Sequence, residues 1–508
     1  MMKEIIEFTI SREADNLHEE FFVVPHELSA LYIDVPVPEE CRYMGFVILR
    51  DETGTIRFQK LLGYGEQKLA VGTDGAHTAI GGVPGRIAPG KWTLGLGIFT
   101  EYVSQRLGDS SVSLEVIVTD EVSEITEPIG ERIWVEDGSF HIAPEKYGWS
   151  RIYRQESGWY KGDFHTHTRL SDGKETIRNA TKKAETMEMD FYVPTEHNLM
   201  HTGWCDTDIC ILPGIEITTD KGHFNLFGIT DMPEKLLEIV MYNGTSQMER
   251  YVEETIKEAN AKGWIVSLNH PFLTIWKWKY GKTSLNDFQC VEIINDPTYQ
   301  DATPSNEQAI CFLDELWKDG HKVWGVGGSD SHNLIEERYE GATLPSVAGD
   351  PGTYVFCEGL SPENLMKQVR SGRVCVTRFC RVIPKIAAEG QQYLPGDEIK
   401  AAEEKIMLTY EADVFGLEEK PDVFLVKNGE RLPVKVSEKA FGVYTVREET
   451  ELDSRTWTWV RLELRKKNGA FLGYVNPVYC GAAVSLCSTV EEIWAKMGER
   501  EYDKRNLI

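Results

Sequence analysis

His165 and His167 stand two residues apart in the stretch 158–173, GWYKGDFHTHTRLSDG. On an extended strand residues i and i+2 share a face, so both imidazoles can reach one cation. Asp172 follows in a turn beyond them. A single H-x-H pair is weak evidence by itself. The pattern gains weight because metal-ligand residue types recur where β-type runs end. The run 191–194 leads into Thr195-Glu196-His197-Asn198, and 209–218 carries Glu216. His223 opens the run 224–229 after a Lys221-Gly222 turn. The run 264–268 ends in Asn269-His270-Pro271, and 323–326 ends in Gly327-Gly328-Ser329-Asp330-Ser331-His332. Eight of the twelve histidines fall between 165 and 332, a third of the chain, so they are concentrated where the strand ends recur.

The candidate metal set is therefore His165, His167, Asp172, His197, Glu216, His223, His270, Asp330 and His332. Six imidazoles and three carboxylates delivered to one place are costly to bury without cations. The expectation is a cluster of divalent ions. Other residues read differently. His201 follows His197 by four, which suits either a ligand or a helix surface. His321, in Asp319-Gly320-His321-Lys322, reads as a solvent-facing turn residue. Glu196 adjoins His197, and strand neighbours point to opposite faces, so it is expected to support a ligand from behind. Glu292, on a run that reaches Asn295, stays open between the two roles.

The elements that must position these residues alternate. Between 158 and 380 the short β-type runs are separated by helical stretches at 174–189, 248–261 and 307–318. In the first, Ile177, Ala180, Ala184 and Met187 fall at helical spacing. Such alternation implies a largely parallel sheet or barrel with helices outside, its strand C-termini meeting on one face. Residues 1–150 differ. Short runs at 31–37, 45–50, 91–99 and 112–118 are separated by Gly/Pro-rich pieces such as 81–90, and a β-sandwich is expected. His18, His26, His77 and His141 lie apart there and read as structural or exposed. Further β-type runs occupy 406–411, 423–427, 456–465 and 471–479, and 490–497 reads as a closing helix. The expected division is a β-sandwich at 1–150, an α/β barrel at 158–380 and a β-rich region at 381–508.

Composition narrows the function classes. A chain of 508 residues implies two or three domains. A net charge of −27 opposes unaided binding to nucleic acid. No apolar run reaches the roughly 18 residues of a membrane span. The first residues, MMKEIIEFTISREAD, lack the pattern of a secretory signal. The ten cysteines are scattered without a C-x-x-C pair, which favours free thiols and a cytoplasmic location over a zinc–thiolate site.

The pieces HTHTRLSDG (165–173), TEHN (195–198), GIEIT (214–218), GHFNLFGI (222–229), NHP (269–271) and GSDSH (328–332) resemble, in order, the motifs of the PHP (polymerase and histidinol phosphatase) superfamily of metallohydrolases. The resemblance covers 158–380. Glu196 departs from it, since many members carry Asp at that position. The resemblance implies a distorted (β/α)7 barrel and a trinuclear site. On that pattern His165, His167, Glu216 and Asp330 hold one metal and stand nearest the chemistry. Glu216 bridges to a second, with His223 and His270, and Asp172, His197 and His332 hold a third. A β-sandwich ahead of the barrel, with GWYKGDFHTHT at the junction, also resembles the CehA/McbA-like branch, whose known members include hydrolases of aryl carbamate esters.

Clustered divalent ions supply hydroxide near neutral pH, and a hydroxide bridging two metals is the expected nucleophile. The same ions polarise the scissile ester. No G-x-S-x-G elbow occurs that would suggest a serine nucleophile. The mixed nitrogen and oxygen ligands suit Zn²⁺, Mn²⁺ or Fe²⁺. A small phosphate mono- or diester is the leading substrate class, with Arg169, Arg338 and Arg378 as candidate phosphate contacts. Carboxyl or carbamate esters come second. For those, 274–282 (TIWKWKYGK) follows His270 and offers Trp276, Trp278 and Tyr280 as an aromatic wall, or else as a strand packed on a neighbouring domain. The remaining classes are a metal-containing binding protein without catalysis and a nuclease, which the acidic charge disfavours.

Overall fold

The structure is a computed structural model that describes every residue except 1, 13–15, 44, 64–65, 99, 401–402 and 499–508. Phe99, last in the run expected at 91–99, and 499–508 at the end of the region expected at 381–508, lie outside the described residues. The chain is mixed α/β, with many strands and few helices.

Two four-stranded antiparallel sheets open the chain. One orders Lys3–Ile10, Val112–Thr119, Ala30–Val35 and Gln67–Gly72; the other orders Leu17–Val24, Gly90–Ile98, Gly45–Arg50 and Ile56–Leu61. Ile6, Phe8, Leu31 and Ile33 from the first meet Val47, Leu49, Phe58, Trp92 and Leu94 from the second in one buried core. The period-2 alternation of buried and exposed residues in Lys3–Ile10 shows why: one face is apolar and the other is not.

The middle of the chain holds a mixed five-stranded sheet, ordered Gly214–Thr219, Gly222–Phe227, Ile265–Leu268, Cys290–Asn295 and Trp324–Gly328. Its first two pairings are antiparallel and its last two parallel. Single bridges extend it. His197 pairs with Glu216, Thr166 with Pro194, and Thr166 with Ser331, all parallel, while Phe191–Tyr192 lies parallel to Cys210–Ile211. The pairings therefore return to the segment where they began.

The regular strand–helix alternation expected here is interrupted. Thr219 and Gly222 pair across a two-residue turn, with Gly222 at φ +125°, so the chain doubles back with no room for a helix. The single run expected at 209–218 is two strands, because Pro213 has no N–H for a ladder. The first helix after His165 is Ile177–Thr186, capped by the Thr176 hydroxyl accepting from Asn179 N–H. It starts after 174–175 because that backbone is engaged elsewhere: Lys174 N–H donates to the His332 carbonyl (2.9 Å) and Glu175 C=O accepts from Arg169 N–H (2.9 Å). Met248–Lys262 ends at Gly263 in the left-handed conformation (φ 76°), and Ala302–Lys318 buries Ile310, Leu313 and Trp317.

A seven-stranded antiparallel sheet takes strands from both sides of residue 380. Its order is Arg154–Gly162, Gly352–Leu360, Val374–Thr377, Phe471–Cys480, Thr458–Arg465, Asp422–Lys427 and Glu430–Val434. A five-stranded sheet built on Arg381–Ala388, Lys405–Phe415 and Val443–Asp453 shares a core with it. The Asn476 amide pairs with Gly325 as a backbone would, donating to its carbonyl (3.1 Å) and accepting from its N–H (2.8 Å). The helix Val490–Gly498 closes the described chain. His321, expected to face solvent, is 9 % exposed, with Nε2 3.1 Å from the Cys487 carbonyl in the segment that leads to that helix. All ten cysteines are free. Among the described residues, no helix is long and apolar enough to cross a membrane.

One ion network joins the regions. Arg461 is fully buried and donates through Nε and Nη2 to both oxygens of Asp314 (2.8 Å each), while its Nη1 lies 2.8 Å from Glu463. Removing one member leaves buried charge without its partner, at about 3–5 kcal/mol. Arg461→Met should therefore lower the thermal midpoint by several degrees in calorimetry, with Arg461→Lys recovering part of it. An unchanged midpoint for the Met variant would show that the network does not hold these elements together.

Candidate metal centre

Thr166 sets the H-x-H pair. Its N–H donates to Thr195 Oγ1 (3.0 Å), its hydroxyl donates to the Val193 carbonyl (2.9 Å), and its carbonyl accepts from Thr195 N–H (2.9 Å). On the other side Asp330 N–H donates to the His165 carbonyl (2.8 Å). With Thr166 pinned between neighbours, His165 and His167 turn their rings to the common interior, where both lie near Asp330. Two glycines permit the close approach. A Cβ on Gly328 would sit 2.2 Å from His165 Cβ, and one on Gly173 would sit 2.5 Å from the His167 carbonyl carbon. His270 (φ 26°) and Asp330 (φ 49°) both take the left-handed region, turning their side chains at the ends of strands.

The nine candidate residues converge. Four overlapping groups bring ligand atoms within 4.8 Å of one another: His167, Asp172, His197 and His332; His165, His167 and Asp330; His165, Glu216 and His270; His197, Glu216 and His223. Glu216 sits between the groups. Its oxygens lie 3.2 Å from His165 Nε2, 2.7 Å from His197 Nδ1, 3.2 Å from His223 Nδ1 and 3.5 Å from His270 Nε2. Asp330 Oδ1 is 3.3 Å from His165 Nε2 and 3.1 Å from His167 Nε2. Asp172 Oδ1 is 3.5 Å from His197 Nε2 and 3.2 Å from His332 Nε2. The clusters place His167 with the Asp172 group as well as with Asp330, a sharing that spacing alone did not indicate.

These donors fit divalent ions. His165 Nε2, both ring nitrogens of His167, Glu216 Oε2, His270 Nδ1 and Asp330 Oδ1 are buried without a hydrogen-bond partner. Orphaned nitrogen and oxygen atoms facing one another are what a cation would satisfy. The titration of the cluster tells the same story. Against its own burial, His332 is held up to about 10 by Asp172 and Asp330. Against burial too, His197 is held up to about 8 by Asp172 and Glu216. Burial and the neighbouring His332 and His197 push His167 down to about 4. Burial would raise Glu216 and Asp330, but the surrounding imidazoles hold both well below the usual carboxylate range. His197 and His332 drawn up beside carboxylates drawn down mark a place that favours positive charge, whether from protons or from cations.

A surrounding layer orients the donors. Glu292 receives His165 Nδ1 (3.0 Å) and the His270 N–H (2.8 Å), so it stands behind two candidate ligands. Asn269 donates to Glu216 (2.9 Å) and Asn295 to Asp330 (3.2 Å). His332 Nδ1 donates to the Asp330 carbonyl (2.7 Å), which leaves Nε2 toward Asp172. Such partners fix tautomer and ring angle. Glu196 points away from the cluster, and His201 bonds to it through Nε2 (2.8 Å) and lies edge-on to Trp204. His201 is in none of the four groups. Sequence reasoning gave no role to Asp163, which is fully buried and accepts from the N–H groups of His165 (3.0 Å), Ser329 (3.0 Å) and Gly349 (2.8 Å). Its only signal was a carboxylate two residues before His165.

The expected phosphate contacts are dispersed. Arg378 is bound at both ends to Asp350 (2.7 and 2.8 Å). Arg338 is exposed and donates to the Ile335 and Glu337 carbonyls, and Arg169 Nε donates to the Lys174 carbonyl. The aromatic wall is also rearranged. Trp278 and Tyr280 are 2 % and 7 % exposed, packed beside Phe224 and Thr219. Trp276 remains half-buried and lies edge-on to Tyr299, which lies edge-on to Tyr339. A groove of about 290 Å³ lined by Lys161, Tyr354, Phe379 and Arg381 shares no residue with the cluster.

No family model matches the chain, and no curated protein does. Among solved structures it is similar to a two-domain protein of Bacteroides vulgatus containing a predicted PHP-like metal-dependent phosphoesterase, at 17 % identity and a TM-score of 0.35, covering 70 % of this chain and all of the other. It is also similar to an amidohydrolase of Chromobacterium violaceum, at 14 % identity and a TM-score of 0.23, covering 35 % and 89 %. Likeness at this level assigns neither activity nor substrate.

Zn²⁺ or Mn²⁺ added to metal-free protein should raise its thermal midpoint, increasingly with concentration, since an ion bound only to the folded state stabilises it. Glu216→Ala should remove most of that shift. An equal shift in both proteins would place the ions elsewhere.

Proposed function

We propose that the chain is a metal-dependent hydrolase of the PHP type, acting on a small phosphate mono- or diester. The observation that carries this reading is the convergence of nine nitrogen and oxygen donors, several of them orphaned in the interior. The motif resemblance at 165–173, 195–198, 214–218, 222–229, 269–271 and 328–332 supports it, and on this reading the returning circuit of strand pairings is the distorted (β/α)7 barrel. Three divalent ions, Zn²⁺, Mn²⁺ or Fe²⁺, are proposed. His165, His167, Glu216 and Asp330 would hold one, Glu216 with His223 and His270 a second, and Asp172, His197 and His332 a third.

When bound, such ions activate water and polarise the ester. The chain's own residues prepare the place. Glu292 accepts the Nδ1–H hydrogen bond of His165, which turns Nε2 toward Glu216 and Asp330. Asn269 and Asn295 fix the rotamers of Glu216 and Asp330 through side-chain amides. Ile215 and Phe224, both fully buried, belong to the same hairpin as Glu216.

A second reading, hydrolysis of a carboxyl or carbamate ester, is favoured by one feature: Arg378 is spent on Asp350, while half-buried Trp276, Tyr299 and Tyr339 form a row suited to an apolar leaving group. With Mn²⁺ present, p-nitrophenyl phosphate, bis-p-nitrophenyl phosphate and 1-naphthyl acetate separate the readings. Cleavage of a phosphate compound, lost in His165→Ala, is the expected result. Cleavage of the naphthyl ester alone moves the assignment to the second reading. Metal binding without turnover on any of the three counts against catalysis and for a binding role.

A further inference from the structure

Asp172 is carried by a loop, not a strand, and two residues outside the metal set hold that loop. Glu196 is fully buried, and its carboxylate accepts from the N–H groups of Thr168 (2.9 Å) and Ser171 (3.1 Å) and from both their hydroxyls. His201 closes the arrangement at 2.8 Å. The other is Lys60, on the strand Ile56–Leu61 of the N-terminal sheets. It is 4 % exposed, and its ammonium donates to the carbonyls of Arg169 and Leu170.

The placement of Lys60 is informative because it is unfavourable alone. Burial of the ammonium pushes it down to about 8, against the attraction of Glu127 and Glu196. A lysine that served only to cover surface would keep its charge in water. The space beside the loop is not filled by side chains either: a cavity of about 100 Å³ lies there, lined by Lys60, Glu127, Arg169 and Ser171. Leu170 is anchored in the core, so what hydrogen bonds must fix beside the void is the backbone that runs from its carbonyl through Ser171 to Asp172.

We propose that Lys60 and Glu196 are positioning residues for Asp172, and that through Lys60 the N-terminal sheets set the metal affinity of the group His167, Asp172, His197 and His332. The inference rests on the metal-centre reading above. Loss of the Lys60 ammonium frees two carbonyls and lets the loop drift, which misplaces one ligand and leaves Glu216, His223 and His270 untouched. Outer partners of ligands commonly change metal affinity by about 10- to 100-fold.

The test is a Co²⁺ titration of the full chain, following visible absorption and metal content after dialysis. Lys60→Met keeps the stem and removes the charge; Lys60→Arg keeps the charge. Lys60→Met should weaken one class of Co²⁺ site by about tenfold or more and change its absorption, leaving the other class as in the wild type. Asp172→Asn should affect the same class, the Lys60→Met/Asp172→Asn pair should bind no worse than Asp172→Asn alone, and Lys60→Arg should recover binding. Superimposable isotherms and spectra for Lys60→Met and wild type overturn the proposal, whatever happens to the thermal midpoint. If Lys60→Met does not fold, Glu196→Gln decides in the same way. A wild-type chain that takes up no Co²⁺ overturns the metal-centre reading itself, and is thereby told apart from a failure at Lys60.

Discussion

Glu216 brings a carboxylate with no solvent exposure into the midst of five imidazoles, those of His165, His167, His197, His223 and His270. An ion in that position cannot be left uncompensated, since isolated charge in a low-dielectric interior is far costlier than any single hydrogen bond returns. The surrounding layer answers one part of the problem by fixing which nitrogen of each ring faces inward. The net charge inside the cluster answers the rest, through protons on His197 and His332 or through cations. Strand order, the left-handed turns at His270 and Asp330 and the glycine at 328 all serve the same end, which is to bring charges together that would otherwise separate.

The donors themselves were legible in the sequence because their types are rare and their positions recur at the ends of apolar runs. The H-x-H face, the strand-end histidines and the carboxylates Glu216 and Asp330 needed no long-range information. The orientation of Glu196 also followed from strand alternation, and its carboxylate does face away from His197's neighbours toward Thr168 and Ser171. The fold class was legible as mixed α/β, from the change in periodicity along the chain. The regular strand–helix alternation was not what the structure holds, since the hairpin at 219–222, whose turn was itself legible at Lys221-Gly222, sets two strands side by side without a crossover.

What stayed hidden depends on partners far apart in sequence. Lys60 meets its carbonyls 109 and 110 residues away, and Asn476 meets Gly325 at a separation of 151. Neither residue type nor spacing announces such contacts. The same holds for Arg378, a plausible phosphate ligand by type whose fork is taken by Asp350. The burial of Trp278 and Tyr280 likewise depends on Phe224 and Thr219, which belong to a strand pair more than fifty residues earlier. Pairing of Val374–Thr377 with Phe471–Cys480 ties the two sides of residue 380 into one sheet, a register that periodicity cannot express.

The candidate ligands are built on supports of unequal stiffness. Glu216, His223 and His270 stand on or at the ends of paired strands, with Thr218↔His223 and Glu216↔Asn225 in register across one hairpin. Asp172 stands on a loop beside a cavity, anchored by buried Leu170 two residues before it and by a set of polar contacts. Packed strands resist displacement because each side chain is confined on all sides, whereas a hydrogen-bonded loop moves when one donor is lost. A centre of this design is rigid around Glu216 and adjustable where Asp172 meets His167, His197 and His332. The adjustable side is also the side that the N-terminal sheets reach. Variation in those sheets can therefore alter the properties of the Asp172 group while the hairpin that carries Glu216 and His223 stays as it is.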